Sequence, residues 1–266
     1  NVSSVRDSVT VASTPLTPVR AIPWVAKGLS NNKARRIAMF QNWAPSMDQG
    51  WTQWVFDQYH VPYTLITAKD IRAGNLSSRF DAIVLPDQNA RQIAGGPRGA
   101  YPDSLKGGLG DDGAKQLAAF VNAGGTLVAF NAASNYAIEA LSLPVKNVLA
   151  DVRPKDFYAP GSLFKVEFDR ANPLAAGMTA PTPAVWFEGG PAFEVTDPSR
   201  ATIVARYPAQ GDPLLSGWLL GADRINGKGA MVDVKQGKGH VVLFGFRPQY
   251  RAQSMSTYPL VWNALR

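Results

Sequence analysis

The sequence predicts an α/β protein built on a doubly wound, mainly parallel sheet with a β-rich C-terminal extension. Three observations predict it. Apolar runs of four or five residues recur between positions 37 and 130, as strands buried on both faces require. Between them lie segments whose apolar residues recur at helical spacing. Beyond Pro144 the pattern turns to two-residue alternation, the mark of half-buried strands.

Taken in order, residues 1–33 are rich in Ser, Thr, Val and Pro without a sustained period, which suits a linker or an arm laid on a neighbouring surface. Ile22, Pro23, Trp24 and Val25 would anchor it. The α/β domain is expected over 34–266, as one domain and not two. Ile37-Ala38-Met39-Phe40 reads as the first strand. Ser46-Met47-Asp48-Gln49 matches a capping box, and the helix after it places Trp51, Trp54, Val55 and Tyr59 on one apolar stripe. Tyr63–Ile66 and Ala82–Leu85 are the next two strands. Asp111 or Asp112 caps a helix with Leu117, Phe120 and Val121 inward, ended by Gly124-Gly125. Thr126–Phe130 is the fourth strand, and Ser134–Leu141 the helix after it. In the extension, 164–168, 184–187 and 202–207 alternate. Ala230–Val234 and His240–Phe244 flank Gln236-Gly237-Lys238-Gly239, a hairpin turn. A short helix closes the chain over 258–266.

Composition narrows the function. With 45% apolar and 18% charged residues, a chain of this length buries about 75% of its unfolded surface. No apolar run approaches the roughly 20 residues of a membrane span, so none is expected. The net charge of +7 is scattered, without the aromatic-interleaved basic stripe that nucleic acid requires, and no nucleic-acid partner is expected. The absence of cysteine excludes disulfides, thiolate zinc sites and a Cys nucleophile. The chain begins at Asn1 with no signal segment, and reads as a processed protein or an excised fragment.

In an open parallel sheet, ligands bind beyond the carboxyl ends of the strands. Here those ends carry Gln41-Asn42-Trp43, Asp87-Gln88-Asn89, Asn131 to Asn135, and Arg247 to Arg251. The candidate cleft residues are Asn42, Trp43, Asp87, Gln88, Asn131, Ser134, Glu139, Arg247, Gln249 and Arg251. Ser134 is either a nucleophile or, since its oxygen can accept a backbone N–H, the N-cap of its helix. Glu139 faces either the cleft or solvent. Arg247 and Arg251 could hold a carboxylate through two hydrogen bonds, or pair internally with Asp87 or Glu139. Trp43, Trp186 and Trp218 are candidates for a sugar- or peptide-docking surface, or for packing.

The run Asn131-Ala132-Ala133-Ser134 after one strand, with Phe246-Arg247-Pro248-Gln249 after another, resembles the class I glutamine amidotransferase fold, a flavodoxin-like sheet. There, the resemblance implies, a Cys would stand at Ala132 or Ala133, a His at Arg247 and a Glu at Gln249. Glutamine hydrolysis needs that thiolate, a base and a carboxylate that orients the base. Arginine does not release its proton near neutral pH.

Seven further stretches carry a second resemblance. They are Met47–Trp54, Asp70–Leu76, Val84–Gln88, Gly124–Val128 with Ala137-Ile138-Glu139, and Tyr158–Ser162; Phe244–Gln253 completes the set. Together they resemble the C-terminal region of bacterial zinc-carboxypeptidase-type proteins. That implies an amidotransferase-like domain following a metallopeptidase catalytic domain, its partner in the parent polypeptide, with export to the periplasm or beyond. A homo-oligomer is kept open. A zinc carboxypeptidase needs a His and a Glu three residues apart plus a distant His. Only His60 and His240 are present, with no such spacing. No cofactor is expected on this chain, with zinc only in the separate catalytic domain. The expected function is a non-catalytic accessory domain for interdomain packing, substrate presentation or assembly. The alternatives are a hydrolase of altered chemistry using Ser134, Glu139 and Arg247, or a binding module for acidic peptides or sugars.

Overall fold

Five strands run parallel through the computed structural model. They are β1 (Ile37–Phe40), β2 (Thr64–Ile66), β3 (Ala82–Leu85), β4 (Thr126–Phe130) and β13 (Gly239–Phe244). Across the sheet they lie in the order β2-β1-β3-β4-β13. With β13 as fifth strand, this is the 2-1-3-4-5 order of doubly wound flavodoxin-type sheets, whose switch point falls between β1 and β3. The structure describes residues 35–44, 46–96, 107–180 and 183–266. The arm expected over residues 1–33 lies outside the described residues.

Every residue of β1 and β3 is buried, as it must be where helices cover both faces. On one face, Ala38, Ile83, Leu127 and Leu243 pack with Ile71 of α2 (Ala68–Arg72), Leu76 of α3 (Leu76–Arg79) and Ile93 of α4 (Ala90–Gly95). Leu117, Phe120 and Val121 of α5 (Gly110–Asn122) and Ala137 of α6 (Ala133–Ala140) complete that layer. On the other side, Phe56 and the nearby Tyr59 of α1 (Met47–Gln58) meet Trp262 of α7 (Tyr258–Ala264), ring centroids 5.3 and 5.6 Å apart. α5 ends as its glycines predict. Gly125 N–H donates to Phe120 O and Gly124 N–H to Val121 O, with Gly124 at φ +115°, a Schellman close.

The C-terminal strands are less of an extension than the sequence implies. The hairpin of β12 (Gly229–Gln236) and β13 inserts into the main sheet, β13 lying parallel against β4. β10 (Ala201–Arg206) and β7 (Glu167–Phe168) follow antiparallel beyond β12, with β9 (Phe193–Val195) and β5 (Val145–Asn147) alongside. The sheet is therefore mixed, with its parallel half leading. The 164–168 alternation splits at Val166. Its first part, β6 (Ser162–Lys165), joins a separate sheet with β8 (Ala184–Phe187) and β11 (Leu214–Ser216).

Two helix readings are corrected. α1 does not bury the tryptophan stripe. It buries Asp48, Gln49, Thr52, Val55 and Phe56 and leaves Trp54 47% exposed, because its polar face belongs to the network described below. Ser46 does cap it, accepting from Gln49 N–H at 3.1 Å. α5 begins at Gly110 without a side-chain cap. Asp111 and Asp112 stand instead inside its first turn, where negative charge meets the helix dipole. Among the described residues, no helix is long and apolar enough to cross a membrane.

Candidate functional site

The chain turns sharply from β4 into α6 at Asn131, whose φ is +49°. A strained strand-to-helix turn of this kind presents the nucleophile in elbow-type hydrolases. The left-handed region disfavours most side chains but tolerates Asn. The residue at the sharp turn is thus Asn131, one position before Ala132, the first of the two places where the resemblance would put a Cys. Its Nδ2 donates to Asp87 Oδ1 at 3.1 Å and to Glu188 O at 3.0 Å. The next backbone N–H, that of Ala132, also donates to Asp87 Oδ1, at 3.0 Å. In acyl transfer the N–H after the nucleophile supports the oxyanion. Here a fixed carboxylate from the tip of β3 already holds it.

Ser134 is neither of the things the sequence offers. It lies within α6, fully buried, and its hydroxyl sits 3.1 Å from Ala129 O and 2.9 Å from Phe244 O. It ties α6 to the ends of β4 and β13. No hydrogen bond links it to Glu139 or Arg247, and Glu139 is exposed. The three residues of the altered-hydrolase reading are not assembled.

Arg247 follows β13 and anchors its backbone N–H on Trp186 O at 3.0 Å. Its guanidinium reaches Asp87 Oδ2 at 2.8 Å and Glu188 Oε2 at 3.2 Å. Of its two expected partners, Asp87 is found and Glu139 is not. Glu188 takes the second place, and also accepts from Trp186 Nε1 at 3.2 Å. Trp186 stacks on Tyr250 with ring centroids 4.1 Å apart, so one face of it packs within the chain. Arg247 and Arg251 lie over the same Tyr250 ring, at 5.8 and 5.4 Å. Arg251 is exposed and makes no ion pair among the described residues.

Gln249 is 2% exposed. Its Nε2 donates to Asp48 Oδ1 at 2.6 Å and lies 3.1 Å from Thr52 Oγ1. The other oxygen of Asp48 accepts the Asp87 N–H at 3.0 Å. Burial, and then the neighbouring Asp87 charge, push the Asp48 carboxyl up to about 7. Asp87 is also raised, because burial outweighs the opposing pull of Arg247, Asn131 and Ala132. Two carboxyls in one dry network cannot both ionise freely.

The remaining candidates brace loops. Asn42 is buried and donates to Gln92 O at 2.8 Å, while its Oδ1 accepts from Trp43 N–H at 2.8 Å. Gln88 Nε2 donates to Ala44 O at 2.9 Å. Trp43 is 55% exposed. His60 occupies a positive-φ turn after α1, and His240 Nδ1 meets Asp233 Oδ1 at 3.0 Å. Among the described residues, no group of three or more His, Asp or Glu side chains could hold a metal.

Sequence reasoning missed Asp48, Glu188 and a cleft of about 920 Å³ beside the elbow, lined in part by Ala132, Asn135, Asn147, Glu188 and Gly190. Asp48 was visible only as part of a capping motif, and Glu188 gives no local signal. For the cleft, the run of polar residues from Asn131 to Asn135 was the available clue.

No family model matches the chain, and no curated protein matches its sequence. Solved structures do. A cytoplasmic protein from Salmonella typhimurium matches with TM-score 0.53 and 15% identity, over 87% of this chain and 97% of its own. A provisionally named GMP synthase subunit from Thermoplasma acidophilum matches at 0.53 and 10%, over 88% and 94%. A second cytoplasmic protein, from Salmonella typhimurium LT2, matches at 0.51 and 16%, over 86% and 97%. At these identities the likeness shows a shared α/β fold and leaves activity open.

Proposed function

We propose that this chain is a non-catalytic, amidotransferase-like accessory domain whose role is interdomain packing, substrate presentation or assembly. One observation carries the reading. Asp87 Oδ1 occupies both the Asn131 amide and the Ala132 N–H, so the turn that would host a nucleophile and an oxyanion holds neither. Arg247 supports the same reading. It stands where a general base would, stays protonated, and neutralises Asp87 at 2.8 Å. Gln249, where an orienting carboxylate would stand, is turned into the network beneath α1.

The carboxypeptidase setting, with a zinc-dependent catalytic domain as partner, rests on the sequence motifs alone. Two measurements test the proposal. Purified protein incubated with glutamine, and with a panel of C-terminally blocked and free peptides, is expected to release no ammonia and no amino acid above buffer. Turnover lost in Asn131→Ala would overturn the non-catalytic reading. The encoding reading frame upstream of Asn1 is expected to carry a His-x-x-Glu and distant-His metal set; a different catalytic domain there would overturn the peptidase setting only.

A further inference from the structure

We infer that the cleft of about 920 Å³ beside the Asn131 elbow is a binding site for a neutral saccharide. Its volume lies within the range of about 300–1,000 Å³ typical of ligand pockets. The inference goes beyond the accessory role and uses none of the side chains that fill the elbow.

The lining supplies hydrogen-bonding groups of both kinds that have no partner among the described residues. Asn135 Oδ1 accepts from Asn147 Nδ2 at 2.9 Å, which fixes the amide and leaves its own Nδ2 free as a donor. Asn89 is held likewise, its Oδ1 accepting from Arg91 N–H at 2.9 Å, with Nδ2 unused. The Glu139 and Asp151 carboxylates and the Arg91 guanidinium line the same cleft and make no hydrogen bond or ion pair among the described residues. Charge then narrows the ligand. Two free carboxylates against one guanidinium disfavour an anion. Arg91 on the same lining, with Glu188 already paired to Arg247, leaves too weak a field to select a cation. A ligand with many uncharged groups that both donate and accept fits what remains, and hydroxyls are such groups.

Tyr158 adds an apolar face. It lines the cleft, is 47% exposed, and offers a ring against which the C–H face of a pyranose can lie. Leu220, bonded to Tyr158 backbone to backbone at 3.1 and 2.9 Å and itself 45% exposed, continues this surface outward. The space exceeds one sugar ring, which points to an oligosaccharide.

Calorimetric titration with cellobiose, maltose and chitobiose tests this, with spermidine and citrate as cationic and anionic probes. At least one disaccharide is expected to bind, with little dependence on salt. Glu139→Gln and Tyr158→Ala, both exposed positions that leave the fold intact, are each expected to weaken it by roughly tenfold, the loss of one charge-assisted hydrogen bond or one stacking face. Met255→Ala, at an exposed position that does not line the cleft, is expected to change nothing. The inference is overturned if no disaccharide binds, if only spermidine or citrate binds, or if disaccharide binding survives both cleft variants.

Discussion

Replacing Arg247 with Met keeps the length of the side chain and removes the guanidinium that meets Asp87 at 2.8 Å and Glu188 at 3.2 Å. The Asp87 side chain is 9% exposed and cannot recover its hydration in place. Breaking a buried pair from one side costs about 3–5 kcal/mol. Arg247 retains 22% exposure, which places the expected loss near the lower end, about 3 kcal/mol. The loss must depend on pH. Arg247 holds the Asp87 carboxyl down against the larger effect of burial, so removing it raises that carboxyl further. A carboxyl raised in the folded state keeps a proton that the unfolded chain releases. Stability therefore falls as pH rises from the unfolded value of 3.8 through the folded one. The variant should lose least at about pH 5 and most at about pH 8. Urea titrations followed by tryptophan fluorescence at both pH values measure this. Asp87→Asn combined with Arg247→Met should recover part of the loss, since no unpaired carboxylate remains at 87. A loss below about 1 kcal/mol, or an equal loss at both pH values, would refute the reasoning.

Four further substitutions separate the roles assigned above. Asp48, held up to about 7 against an ordinary 3.8, makes the wild type lose stability as pH rises between those values, by at most roughly 4 kcal/mol. Asp48→Asn removes that titration, so its urea midpoint should vary less between about pH 5 and 8; an unchanged slope counts against the assignment. Ser134→Ala removes one hydroxyl proton shared between two carbonyls and should cost about 1 kcal/mol, with no effect on background hydrolysis, whereas a nucleophile would abolish it. Gly190→Ala would place a methyl 2.2 Å from Gly245 O and 2.3 Å from Asn131 Oδ1, and should cost about 1–3 kcal/mol or more in thermal or urea melts. Gly50→Ala, in α1 with nothing within 4 Å, should instead stabilise by roughly 0.5–1 kcal/mol; equal effects at the two glycines would contradict the packing.

The strands most legible in the sequence were those buried on both faces. β1, β3 and β4 coincide with their apolar runs because no alternation competes with the helical reading there. The place of β13 beside β4 was hidden, since that parallel pairing joins residues more than a hundred positions apart. The face of α1 was misread for a related reason. Hydropathy favours Trp51 and Trp54 as the inner residues. What draws Asp48 and Thr52 inward is Gln249, 201 and 197 positions away in the chain. At the site, Asp87, Asn131 and Arg247 were visible as polar strand tips, and the Asp87–Arg247 pair was among the expected outcomes. The elbow residue was not, because a positive φ at Asn131 leaves no trace in composition. Glu188 lies after β8, in a segment whose position depends on the second sheet.

The polar groups at the strand tips depend on one another. An acyl-transfer site keeps its backbone donors free, so that charge developing in the transition state meets dipoles already in position. Here Asp87 takes the Ala132 donor at 3.0 Å. A buried carboxylate in that position requires a cation, and Arg247 supplies it at 2.8 Å. Asn131 then serves where a thiol would not, because its amide hydrogens bind Asp87 and Glu188 O while its backbone accepts the left-handed turn. On the proposed reading, placing Cys at 131 and His at 247 would supply two side chains of a triad and leave Asp87 on the Ala132 N–H, now without its guanidinium. On the proposed non-catalytic reading, a connected network and not one missing residue blocks the chemistry, and the same network holds the tips of β3, β4 and β13 together.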